Sequence, residues 1–219
     1  YYSFIGGGRG NNASIYHATI SGGYNNTASA SYSTISGGYS NTVSARYSII
    51  GGGFQNSVSG CYGTVSGGRN NTASGYCSTI SGGFTNVASG LKSSIGGGDR
   101  NIAQAIAGFI GGGTCNQVCN IVDGCLSYGA VIAGGVGNNT CGGIWDLPTC
   151  QFICPPTILN AGIYSAIGGG FQNNASGCFS TISGGHSNTA SGYISFIGGG
   201  RFNAASQGGT VVGGGVQNS

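Results

Sequence analysis

The stretch Ile20–Thr34, ISGGYNNTASASYST, decides how the rest of the chain is read. Steps of fifteen from Ile20 land on Ile5, Ile35, Ile50, Val65, Ile80, Ile95 and Ile110. After two interruptions the same site holds Ile132, Ile167, Ile182, Ile197 and Val212. We number this site 0 and the unit 0 to +14. Sites +2 and +3 are Gly-Gly in every unit. Site +6 is always asparagine: Asn11, Asn26, Asn41, Asn56, Asn71, Asn86, Asn101, Asn116, Asn138, Asn173, Asn188, Asn203 and Asn218. A short fixed period holding a β-branched residue, a glycine pair and an asparagine in register marks a solenoid, whose units bury their apolar faces against one another. The expected fold is all-β: a parallel β-solenoid (β-roll) of about thirteen 15-residue coils, with 1–219 as one body.

Within the unit, Gly-Gly breaks any strand and permits the positive φ of a tight corner. Two-residue alternation then sets the faces. Site 0 points inward with the small residues of +13, such as Ser33 and Ser48, and with Ala or Val at +8, while +14, commonly Thr, points out. The asparagine of +6 is expected to turn inward at a corner and bond to backbone or to the asparagine of the next coil, a structural role rather than a ligand-binding one. Two outward columns are aromatic. Site +12 carries Tyr2, Tyr32, Tyr47, Tyr62, Tyr164 and Phe179, and site +4 carries Tyr24, Tyr39, Phe54, Phe84 and Phe171 among Arg9, Arg69 and Arg201. Two readings stand side by side: rings stacking on one another to cover the corners, or a surface for another chain or an extended ligand. Tyr24, Tyr39, Tyr32, Tyr47 and Trp145 are the candidate interface residues.

The register slips twice, between Ile110 and Ile132 and between Ile132 and Ile167. Both extra segments, 120–127 and 143–162, leave the coil at one corner on adjacent coils, and they are rich in cysteine. Stacking also predicts disulfides, because residues at one site on adjacent coils lie within bridging distance. Cys119 and Cys141, both at +9, are an expected pair. Cys61 at +11 and Cys77 at +12 are the second. Cys115, Cys125, Cys150, Cys154 and Cys178 remain, an odd number, so one is free or pairs with another chain.

Composition limits the chemistry. Charged residues make up 4% of the chain, and the net charge of +3 comes from six scattered bases and three acids. No basic face suits nucleic acid, and no apolar run would insert into a bilayer. The carboxylates are Asp99, Asp123 and Asp146 and the histidines His17 and His186, with no recurring partner for acid, base or nucleophilic work, so no enzyme and no catalytic residue is expected. The Cys-x3-Cys pairs Cys115/Cys119 and Cys150/Cys154 have zinc-like spacing but no histidine nearby, so neither a metal nor another cofactor is expected. Nine cysteines together with sequons at Asn12, Asn25, Asn70, Asn138 and Asn174 favour an oxidising, extracellular setting.

The units IGGGFQNSVSG, ISGGYNNTASA and IGGGFQNNASG resemble the head repeats of trimeric autotransporter adhesins, the YadA-like left-handed parallel β-rolls. They are also similar to repeats in giant-virus and bacterial surface fibres. The resemblance spans everything but the two insertions. It implies a homotrimer and surface adhesion, at a cell or virion surface. The fifteen-residue period and the nine cysteines depart from the family, whose heads run nearer fourteen and must cross an outer membrane.

Tyr1 falls at +11 and Ser219 at +7, so a processed or truncated chain is expected, and a second copy placed after the first would nearly continue the register. The leading expectation is therefore a non-enzymatic subunit of an extracellular or surface fibre whose partners are copies of itself, as a head-to-tail filament or a homotrimer. One alternative is an adhesin or virion-fibre attachment module whose Cys/Trp loops bind a glycan or cell-surface receptor. The other is an ice-binding solenoid presenting the +14 threonines, Thr19, Thr34, Thr64, Thr79 and Thr181.

Overall fold

The computed structural model describes residues 2–119, 128–141 and 162–219 in full, together with the backbone of 145–146 and 151–152. Contacts divide the chain into two compact units, 1–99 and 100–219. Each is a parallel β-solenoid, and there is no helix among the described residues.

In residues 1–99, seven two-residue strands centred on site 0 form one ladder, from Phe4–Ile5 through Thr19–Ile20 and Thr34–Ile35 to Ser94–Ile95. Their register is the sequence period itself: Thr19 pairs with Thr34 and Ile20 with Ile35. A second parallel ladder joins strands at sites +7 and +8, from Asn12–Ala13 to Val87–Ala88. Single bridges at +4, from Arg9 through Tyr24, Tyr39, Phe54 and Arg69 to Phe84, form a third. In residues 100–219 the site-0 ladder runs from Phe109–Ile110 to Val211–Val212, and it pairs Ile110 with Ile132 and Ile132 with Ile167 across both insertions. Inside segment 143–162, Trp145–Asp146 and Gln151–Phe152 pair antiparallel.

The interior matches the expected faces. The isoleucines of site 0 from Ile20 onward are fully buried, with Ala or Val of +8 and Ser, Ala or Gly of +13 beside them. So thin a core leaves much of the stability to hydrogen bonds, and those centre on the asparagine of +6. Asn56 donates its amide to the Gly52 carbonyl of its own coil at 3.0 Å and to the Gly68 carbonyl of the next at 2.9 Å, while its Oδ1 accepts the Asn71 backbone N–H at 2.9 Å. The pattern repeats along the column and crosses the insertions, with Asn138 N–H bonded to Asn116 Oδ1 and Asn173 N–H to Asn138 Oδ1. The glycine of +3 makes room for it. At Gly53 φ is +92°, and a Cβ there would collide with the Gly68 carbonyl oxygen and lie 2.7 Å from Asn56 Nδ2.

Two further corners, +5 and +12, hold left-handed residues that are mostly not glycine. Asn25, Gln55 and Thr85 at +5, and His17, Tyr32, Tyr47 and Tyr62 at +12, have φ between 52° and 59°. L-residues enter this region at a cost of roughly 1–2 kcal/mol. The reversal turns the N–H back toward the preceding coil, as when Tyr32 N–H reaches the Tyr16 carbonyl at 3.1 Å and Asn25 N–H the Arg9 carbonyl at 2.9 Å, whereas strand N–H groups bond forward. A bond the extended geometry would forgo offsets the strain.

Site +13 is less uniform. Ser33 Oγ bonds to the Ala30 carbonyl and Ser48 Oγ to the Gly60 carbonyl, but the buried hydroxyls of Ser78, Ser93, Ser180 and Ser195 have no hydrogen-bond partner. Alanine already fills this site at Ala18 and Ala130.

Replacing Asn56 with alanine strands the Gly52 carbonyl and the Asn71 N–H and removes one of two bonds to the Gly68 carbonyl, which keeps the Phe54 N–H, so it should lower unfolding free energy by about 2 kcal/mol or more. Ser78→Ala should be neutral or stabilising by about 1 kcal/mol. Denaturant titration of the two variants checks both signs.

Candidate functional site

The aromatic columns form ladders over several coils in the first unit and short stacks in the second. At +12 of the first, His17 stacks on Tyr32 at 4.8 Å, Tyr32 on Tyr47 at 5.0 Å and Tyr47 on Tyr62 at 5.1 Å, with ring planes within 11° of parallel. Tyr76, one site earlier on the following coil, closes the column edge-on against Tyr62. At +4, Tyr24, Tyr39 and Phe54 stack at 5.1 and 4.9 Å, Arg9 lies over Tyr24, and Arg69 sits between Phe54 and Phe84. In the second unit Tyr164 stacks on Phe179 and Phe171 on His186. The parallel strands cause this directly, since a rise of about 4.8 Å per coil brings like side chains to stacking distance.

Ring faces are therefore occupied by neighbouring rings, and the edges face solvent. The ladder offers hydroxyl tips and C–H edges rather than the open faces on which a sugar ring would lie. Both histidines belong to these stacks: His17 lies between Tyr2 and Tyr32, and His186 against Phe171 and Phe202. Among the described residues no three His, Cys, Asp or Glu side chains gather where they could hold a metal ion.

The cysteine readings divide. Cys119 and Cys141 form a disulfide with a Cα separation of 5.5 Å, and it clamps the two coils from which the insertions leave. Cys115 is also disulfide-bonded. The Cys61–Cys77 pairing requires correction, because both are free thiols. Cys77 occupies the left-handed +12 corner, where φ is 55°, while Cys61 lies one site earlier on its own coil. The adjacent coils meet there through the Cys77 N–H bond to the Cys61 carbonyl, and the offset gives the two side chains different headings. Burial pushes the Cys178 thiol up, against the lowering effect of backbone hydrogen bonds from Ile163 and Cys178 itself. The Tyr76 phenol is also raised, first by desolvation and then by Cys77, Tyr62 and Cys61. Cys125, Cys150, Cys154 and the Trp145 side chain lie outside the described residues.

The sequons divide as well. Asn12 and Asn25 are exposed, and Asn70 and Asn174 half-buried. Asn138 is a correction: it is fully buried, and its amide is committed to the Gly134 and Gly170 carbonyls, so a glycan there would break the ladder. Its sequon follows from placing the invariant asparagine two residues before Thr140, itself buried.

Sequence reasoning missed the left-handed corners that orient the +12 rings. A faint signal existed in the glycines and asparagines scattered through those columns, Gly10, Asn25 and Asn70 at +5 and Gly129 and Gly209 at +12.

No family model matches the chain, and no curated protein does.

Under native, non-reducing conditions iodoacetamide should label Cys61 and Cys77 and leave Cys119 and Cys141 unlabelled. Cys178, with its raised pKa, should label slowly near pH 8 and faster as pH rises. Peptide mass spectrometry checks each position.

Proposed function

We propose that the protein is a non-enzymatic structural subunit of an extracellular or surface fibre, built by stacking solenoid coils of successive copies end on end. The observation that carries this reading is the translational sameness of the asparagine ladder. Each coil offers its Oδ1 acceptor to the N–H of its successor and its glycine carbonyl to the asparagine amide of its predecessor. An exposed coil face is therefore complementary to the opposite coil face of another copy, and such a contact generates an open filament rather than a closed ring.

The side-chain chemistry agrees. Among the described residues the ladder asparagine amides and the histidine rings are held in structural contacts, and Cys115, Cys119 and Cys141 are disulfide-bonded. The disulfide and the exposed sequons at Asn12 and Asn25 favour an oxidising, secreted setting. The motif resemblance to autotransporter-adhesin heads and viral surface fibres points to the same structural class. A second reading, attachment to a receptor or glycan through the insertions, draws on the Cys119–Cys141 clamp, which fixes both departure points to one corner.

Negative-stain microscopy of purified protein across a concentration series tests the fibre reading. The expected result is threads of constant width whose length grows with concentration. Particles of one fixed length at every concentration would contradict it.

A further inference from the structure

The two ladders of the first unit differ in how they are finished. At +4, arginines cap or interleave the rings, Tyr24 and Phe54 are half-buried, and Tyr39 and Phe84 are 42% exposed. At +11 and +12 the rings stack on one another, with Arg46 and Lys92 at the same sites of other coils, and Tyr16, Tyr32, Tyr47, Tyr62 and Tyr76 are each 47–50% exposed. Half of an aromatic side chain is on the order of 100 Å². Five such tyrosines leave on the order of 500 Å² of ring edge and hydroxyl tip, in the upper range of what monomers leave bare and below the ~800 Å² that each partner of a stable complex contributes.

The period of this edge selects its occupant. Ring edges recur once per coil, with centroids 4.8–5.1 Å apart over several coils. Only a surface with the same rise stays in step along that length, as in the interdigitated side-chain zippers of stacked sheets. The chain itself carries that surface. Its cations set the direction: side by side in parallel register, Arg46 would face its own counterpart and Lys92 its own. Reversing one copy about a point between the Tyr32 and Tyr47 rungs instead brings each Arg46 to the edge of the partner's Tyr32, where the phenol oxygen can accept a guanidinium N–H and Ser31 beside it leaves room.

We infer that the Tyr16–Tyr76 edge is the lateral docking surface for a second copy of this chain, paired antiparallel through a two-fold axis, so that the fibre is built of threads zipped in pairs. This rests on the fibre reading for its setting but not for its contact. An isologous pair forms with or without end-on growth.

The test replaces Tyr32, Tyr47 and Tyr62 together by asparagine, which tolerates their left-handed backbone. Tyr24→Thr with Tyr39→Thr on the other ladder is the control, Thr114 being native at that site. Sedimentation equilibrium should show pairing of wild type and control, with the triple variant at least 100-fold weaker. Microscopy should show double threads narrowing to single ones. Photo-oxidation of wild-type protein with a ruthenium complex and persulfate, which removes one electron and one proton from each of two phenols as their rings join, adds a readout that needs no variant. Interchain dityrosine should map to the Tyr32–Tyr62 rungs. Single threads in wild type would overturn this inference and leave the fibre reading standing. Pairs without threads would support it and overturn the fibre reading. Undiminished association of the triple variant, or dityrosine confined to Tyr24 and Tyr39, would overturn it.

Discussion

One side-chain amide organises this structure. The asparagine at +6 ties the glycine corner of its own coil to the glycine corner of the next and receives the following backbone N–H, so one residue satisfies two otherwise orphaned polar groups per coil and adds a second bond to a carbonyl that already accepts the +4 N–H. Buried backbone groups without partners are costly, and a coil with two-residue strands has few other ways to satisfy them. The glycine of +3 and the asparagine of +6 are thus one constraint rather than two. A larger residue at the first would displace the amide of the second.

The aromatic ladders follow from the same geometry. Once the amide ladder fixes the rise, any ring at +4 or +12 meets its equivalent one coil away at close to 5 Å. Stacking adds roughly 0.5–1.5 kcal/mol per pair, enough to offset the left-handed backbone that the +12 tyrosines adopt. Rings that brace the corners in this way have edges to offer and few open faces, which favours association between like surfaces over capture of a sugar.

Much of this architecture is legible from residue spacing. Ile20, Asn26 and Gly23 recur with a fixed phase, and phase alone gives the strand register, the buried faces and the alignment of Cys119 with Cys141. What escaped depends on where single side chains point at corners. Tyr32 and Thr85 carry no signature of positive φ, since the usual cue is glycine or asparagine, and here backward hydrogen bonds override propensity. The same corner geometry explains why Cys61 and Cys77, adjacent in the count, remain thiols. Asn138 illustrates the converse case: a three-residue sequon reads as a surface site until the fifteen-residue register buries it.

The central claim is that the amide ladder, not chain continuity, holds successive coils together. It is tested most directly by residue-resolved hydrogen exchange at the +6 backbone N–H groups. Asn138 and Asn173 follow the two insertions yet make the same bonds as Asn188 and Asn203. The account predicts protection at all four within about tenfold of one another. Exchange at Asn138 and Asn173 near the rate of an open chain, beside strong protection at Asn188 and Asn203, would contradict it.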